Sequence, residues 1–137
     1  MEYKNVFPTS TVVGQPIIGE VLLYQYSAKY AQSLPYYDKN PMTYIVAMEN
    51  NAFYGINLHY TKPANRSATL DFIIGDNDYT KLPGFNKYLR SYVQGMFLQL
   101  KGEDLDKALG MRLEQFVTDL GSIEISLTNT AMRRVLR

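Results

Sequence analysis

The stretch 52-AFYGINLHYTKPANR-66 decides how this chain is read. Read as a strand, it turns Tyr54, Ile56, Leu58 and Tyr60 to one face and Phe53, Gly55, Asn57 and His59 to the other. The spacing predicts a strand over 52–61, with the only histidine of the chain on the less apolar face beside Asn57. Upstream, Asn50-Asn51 has the residue types of a hairpin turn, and 42-MTYIVAMEN-50 is the expected partner strand. Downstream, Lys62-Pro63 marks a turn, after which PANRSATLDFII fits either a short helix or a fourth strand.

Further out, 34-LPYYDKNP-41 carries two prolines, Asp38 and Asn40, the chemistry of a side-chain-capped turn. Before it, 17-IIGEVLLYQY-26 reads as a strand in which Gly19 permits a bend or bulge. Residues 1–16, with Pro8, Pro16 and a Thr/Ser cluster, read as an extended arm. On the C-terminal side, 75–84 is a loop. The spacing of Phe85, Leu89, Tyr92 and Val93 predicts a helix over 85–94. A strand is expected at 96–100, then a helix with an acidic start at Glu103 and Asp104. A short helix over 112–120 ending at Gly121, a short strand and a basic tail complete the expectation. The fold class is α+β: a small antiparallel curled sheet or SH3-like barrel with short C-terminal helices and extended termini. The divisions are an arm at 1–16, a single globular domain at 17–120 and a tail at 121–137.

Composition narrows the chemistry. The 137 residues hold no cysteine, which removes disulfides, thiolate nucleophiles and the usual structural zinc sites together. No apolar run approaches the ~18 residues of a membrane helix, and MEYKNVFPTS is not a secretory signal, so a soluble, unprocessed protein is expected. A net charge of +1 argues against general attraction to nucleic acid or anionic lipid. Twelve tyrosines without tryptophan suit strand faces and interfaces.

Motif by motif, no cofactor is expected. His59 as general base or metal ligand needs convergent partners such as Asp38 or Asp71, and a hydrogen-bonded structural histidine is the better reading. Asp76-Asn77-Asp78 opens like a calcium loop but lacks the sixth-position glycine and closing glutamate. Asn65-Arg66-Ser67 matches a glycosylation acceptor by chance, and GQPIIG lacks the Lys-Ser/Thr of a phosphate loop. Basic residues deserve separate notice: Lys62, Arg66, Lys87, Arg90, Arg133, Arg134 and Arg137 are candidate nucleic-acid contacts, although acids interleave with them.

The succession GEVLLYQYSAKY, LPYYDKNP, a strand and FYGINLHYTKPANR resembles a family of small virion proteins from tailed, chiefly contractile-tailed, bacteriophages. KYLRSYVQGMFLQLKGEDLDKAL and RLEQF resemble its C-terminal half, so the likeness spans about Gly19 to Phe116. TKPAN departs from the leucine- and proline-rich continuation usual after HY. The motif residues carried over are Leu34, Pro35, Tyr36, Tyr37 and Asp38, then Gly55, Asn57, His59, Tyr60 and Arg66. Members are described either as phage structural proteins or as proteins protecting the ends of packaged DNA. The resemblance implies a virion protein assembled in the host cytoplasm, in contact with other phage structural proteins in a symmetric multi-copy assembly. The leading expectation is a non-enzymatic tail, baseplate or neck adaptor, and the alternative is a protein acting at DNA ends. Within the motif pair, Asp38 is expected to accept a hydrogen bond from His59 or Arg66 and pin the turn across the hairpin.

Overall fold

Strands β4 (Met42–Met48) and β5 (Ala52–Asn57) form the expected hairpin, with Thr43 opposite Asn57 and Met48 opposite Phe53. In this computed structural model, residues 3–27, 36–118 and 124–125 are described. The remaining elements are α1 (Tyr3–Val6), β1 (Thr11–Val13), β2 (Val21–Tyr26), β3 (Tyr36–Asp38), α2 (Pro63–Ile74), β6 (Phe85–Leu89), β7 (Val93–Gln99), α3 (Gly102–Leu109), β8 (Phe116–Thr118) and β9 (Glu124–Ile125). Three 3-10 turns, Leu58–Tyr60, Tyr79–Lys81 and Arg90–Tyr92, lie between them.

The main sheet is antiparallel, six-stranded and open, in the order β1-β7-β2-β4-β5-β6. It curls strongly. The Tyr26 hydroxyl on β2 accepts a hydrogen bond from the Leu89 N–H on β6 at 3.0 Å, although two strands separate them in the sheet. The Ser27 N–H reaches the Tyr92 carbonyl at 2.9 Å and so extends the pairing of β2 with its neighbour β7. The architecture is therefore α+β with a curled sheet that does not close into a barrel. A second, smaller sheet joins β3, β8 and β9.

Strand alternation divides the core in two. Leu22, Tyr24 and Tyr26 point into the curl, where they meet Ile45, Phe53, Tyr88 and Phe97. The rings pack mostly edge to face: Tyr24 lies 5.6 Å from Phe53 and 5.7 Å from Tyr88, and Tyr26 lies 5.1 Å from Tyr88. Tyr24 keeps its hydroxyl satisfied at Thr43 Oγ1, 3.0 Å away, and burial pushes its pKa well up. Val21 and Leu23 point the other way and, with Met42, Ile56, Leu98 and Leu100, receive Leu70 and Ile73 of α2, Ala108 and Leu109 of α3, and Phe7.

Several expectations change here. Helix α2 settles the open choice after Lys62-Pro63: proline at the first helical position has its φ preset and no N–H to waste. The helix expected over 85–94 is instead β6, a 3-10 turn and the start of β7. Its apolar spacing also fits a strand, and stacking of Tyr88 on Phe53 at 5.5 Å decides for the strand. The helix expected over 112–120 is, in its described residues 112–118, an extended lead-in and β8: Phe116 and Val117 pair with Asp38 and Tyr37 of β3, and both are buried although they point to opposite faces of the strand. Gly121 and the basic tail lie outside the described residues, apart from β9.

The N-terminal segment is not simply extended. It contains α1 and the edge strand β1, Phe7 is fully buried, and Asp104 Oδ2 accepts from Thr9 N–H (3.0 Å), Thr9 Oγ1 (2.6 Å) and Ser10 Oγ (2.8 Å).

Gly84 shows how tightly the loop before β6 is laid down. Its carbonyl accepts the Asn57 N–H at 2.8 Å, and a Cβ there would run into the Asn57 backbone. Gly84→Ala is expected to lower stability by about 1–3 kcal/mol. A reduced urea midpoint at unchanged slope would register it.

Candidate functional site

The two motifs of the sequence meet at one carboxylate. Asp38 ends β3 and is 3 % exposed. Its Oδ1 accepts the Asn40 N–H and the Gln115 N–H, each at 2.9 Å. Its Oδ2 accepts Asn57 Nδ2 at 3.0 Å and lies 2.7 Å from His59 Nδ1. An ionised carboxylate only accepts, so the proton of that last bond resides on Nδ1. Asn57 completes the junction: its Oδ1 accepts Met42 N–H at 3.2 Å and His59 N–H at 3.0 Å. The second of these caps the 3-10 turn, so His59 sits in a turn rather than in the strand expected for it.

Burial alone would raise the Asp38 pKa. The attraction of His59 and the hydrogen bonds from His59, Asn57 and Gln115 more than offset it, and the carboxyl titrates below its ordinary range. His59 is fully buried, and its Nε2 has no hydrogen-bond partner among the described residues. An Asp–His pair of this shape can orient a general base. Here neither side chain reaches solvent, with exposures of 0 % and 1 %.

Arg66 is the second hub. It projects from the first turns of α2 into the protein and is fully buried. Nε donates to the carbonyls of Leu58 (3.0 Å) and Thr61 (2.9 Å), Nη1 to those of Leu109 (3.2 Å) and Met111 (2.6 Å), and Nη2 to Glu114 Oε2 (3.3 Å). The guanidinium thus ties the turn after β5 to the end of α3 and the lead-in to β8. Burial lowers its pKa and Glu114 pushes it back up. Each of its three nitrogens donates inside the protein and the side chain does not reach the surface, and its carboxylate partner is Glu114 rather than Asp38.

The other expected residues are spread out. Leu34, Pro35, Arg133, Arg134 and Arg137 lie outside the described residues. Tyr36 pairs with Thr118 through its backbone, and Tyr37 packs against the aromatic core. Gly55 is buried where a Cβ would stand 2.5 Å from the Tyr44 carbonyl oxygen, so β4 and β5 need glycine there. Tyr60 meets Phe116 edge to face at 5.2 Å, and burial raises its hydroxyl pKa. Lys62 is exposed and Arg90 half-buried. Lys87 is exposed, 3.4 Å from Glu49 and 5.7 Å from the Tyr54 ring centre. Sequence reasoning missed Glu114, Gln115 and Asp104. Only Asp104 left a signal, as an acid in the first turn of an expected helix.

Among the described residues no group of three His, Asp or Glu side chains converges on a metal-sized space, and no helix is long and apolar enough to cross a membrane.

Removing one partner of a buried pair leaves the other charge uncompensated, so His59→Ala and Arg66→Met are each expected to cost about 3–5 kcal/mol in chemical denaturation. A variant with unchanged stability would remove the structural role. Because the folded Asp38 pKa is depressed, its contribution is complete above the unfolded value and is lost as pH falls through the folded one. Stability should therefore decline as pH falls from about 4 downward. Asp38→Asn, though less stable, should show a shallower acid-side decline.

The family model described as phage T4 terminal DNA protecting protein matches residues 4–85. The matched span runs from α1 to the first residue of β6 and includes Asp38, Asn57, His59 and Arg66. No curated protein and no solved structure matches the chain. The match covers more than half of the sequence, including Asp38, Asn57 and His59 of the junction that unites its two motifs, and the chain therefore belongs to the phage T4 terminal DNA protecting protein family.

Proposed function

We propose that this protein binds the ends of linear phage DNA and acts without making or breaking a covalent bond. The observation that carries the reading is the family match over residues 4–85, whose description names DNA termini. It favours the role placed second on sequence grounds over that of a tail, baseplate or neck adaptor. The burial of the Asp38–His59 pair supports a scaffolding role for the imidazole, since Nε2 is closed to solvent. Nucleic-acid contact then falls to exposed cations, Lys62 and Lys87 with Arg90, and to Arg133, Arg134 and Arg137 of the tail. The setting is the particle, or the host cytoplasm during infection.

The test compares end-labelled linear duplex with closed circular DNA of the same sequence. Binding to the linear form is expected to be tighter and to weaken with added salt in proportion to the phosphates engaged. The double variant Lys62→Gln/Lys87→Gln should flatten that salt dependence by roughly one to two units of log–log slope. Equal affinity for closed and linear DNA would overturn the proposal.

A further inference from the structure

On the outer side of β5 and β6 the rings of Tyr54 and Phe85 lie nearly parallel, with 18° between their planes and centres 6.3 Å apart. Tyr79, in the 3-10 turn before β6, lies 5.7 Å from Phe85 with its ring tilted by 45°. All three residues are half-buried, with Tyr79 and Phe85 packed against the core cluster that includes Leu70 and Ile73 of α2. Lys87, opposite Tyr54 in the strand register, holds its ammonium above the Tyr54 ring. Glu49 fixes the arrangement from the β4–β5 hairpin, accepting the Tyr54 hydroxyl at 2.8 Å on Oε1 and lying 3.4 Å from Lys87 through Oε2.

We propose that Tyr79, Phe85 and Tyr54, with Lys87 above them, form a stacking platform for unpaired bases at a DNA terminus. This rests on the DNA-end reading and assigns it a surface and a preferred form of DNA. Base–aromatic stacking tolerates any sequence, because every base has a π face. Rings already held by strand pairing and by Glu49 lose little freedom when a base settles on them. The spacing of the rings exceeds the ~3.4 Å rise of a stacked strand, so the cluster suits splayed bases rather than a continuous helix. Only an end, frayed or with an overhang, offers such bases.

The charge on Lys87 is available by exchange. Lys87 and Glu49 are each 48 % exposed, and an ion pair that open to water is weak. A phosphate next to a stacked base can replace the Glu49 carboxylate as the partner of the ammonium. Glu49 thus acts as a placeholder that keeps Lys87 over the ring until DNA arrives.

The experiment measures anisotropy of fluorescently labelled duplexes, one blunt and one with a short single-stranded overhang, titrated with the full chain. The overhang duplex is expected to bind about tenfold more tightly. Tyr54→Ile keeps apolar bulk and strand propensity while removing the ring, and should abolish that preference while blunt-duplex binding remains. Glu49→Gln, a change at an exposed side chain, should tighten overhang binding by roughly threefold. Circular dichroism verifies the fold of each variant, and if Tyr54→Ile does not fold, Glu49→Gln decides. Retention of the preference in folded Tyr54→Ile, unchanged affinity in Glu49→Gln, or blunt and overhang duplexes binding equally would each overturn the platform and leave the DNA-end reading standing. Absence of binding to either duplex would overturn both.

Discussion

One carboxylate collects the separate parts of this molecule. Asp38 receives donors from its own turn, from the end of β5, from the 3-10 turn that follows and from the segment leading into β8. Two of these segments, β3 and β8, are strands of only three residues. A polar junction fixes position more narrowly than apolar contact does, since a shifted segment leaves a buried donor without an acceptor. The small sheet is held against the larger one by this geometry.

Arg66 solves a similar problem for the helices. The end of α3 and the loop after it present carbonyls that the helix itself cannot satisfy. A guanidinium supplies donors in a planar fork that an ammonium lacks, which explains arginine at a position closed to solvent. The cost of burying the charge is met by Glu114 and by the carbonyls around it. A residue that resembles a surface cation in sequence is thus an internal bracket.

Legibility followed the range of the forces involved. The β4–β5 hairpin, the bend at Gly19, the strand ending at Gln99 and the acidic start of α3 are set by neighbours in sequence, and local pattern found them. Gly19 has a φ of 86°, the left-handed geometry that glycine tolerates. β6 and β8 are set by distant partners. Phe85 to Val93 carries a helix-like spacing, yet Tyr88 is claimed by rings on β2 and β5. Between Asp38 and His59 the residue types alone suggested a pair, because a lone imidazole and a turn carboxylate are complementary. The carbonyl cage of Arg66 left no such trace, since backbone oxygens carry no residue identity.

The latch of Asp104 on Thr9 and Ser10 spans 95 and 94 positions of sequence, and β1 is laid against the similarly distant β7. During synthesis Thr9, Ser10 and β1 lack these partners until β7 and α3 have left the ribosome. Closing so long a loop is entropically slow. A nascent chain halted before α3 would therefore display the apolar surface that Ala108 and Leu109 cover, a surface suited to chaperone capture.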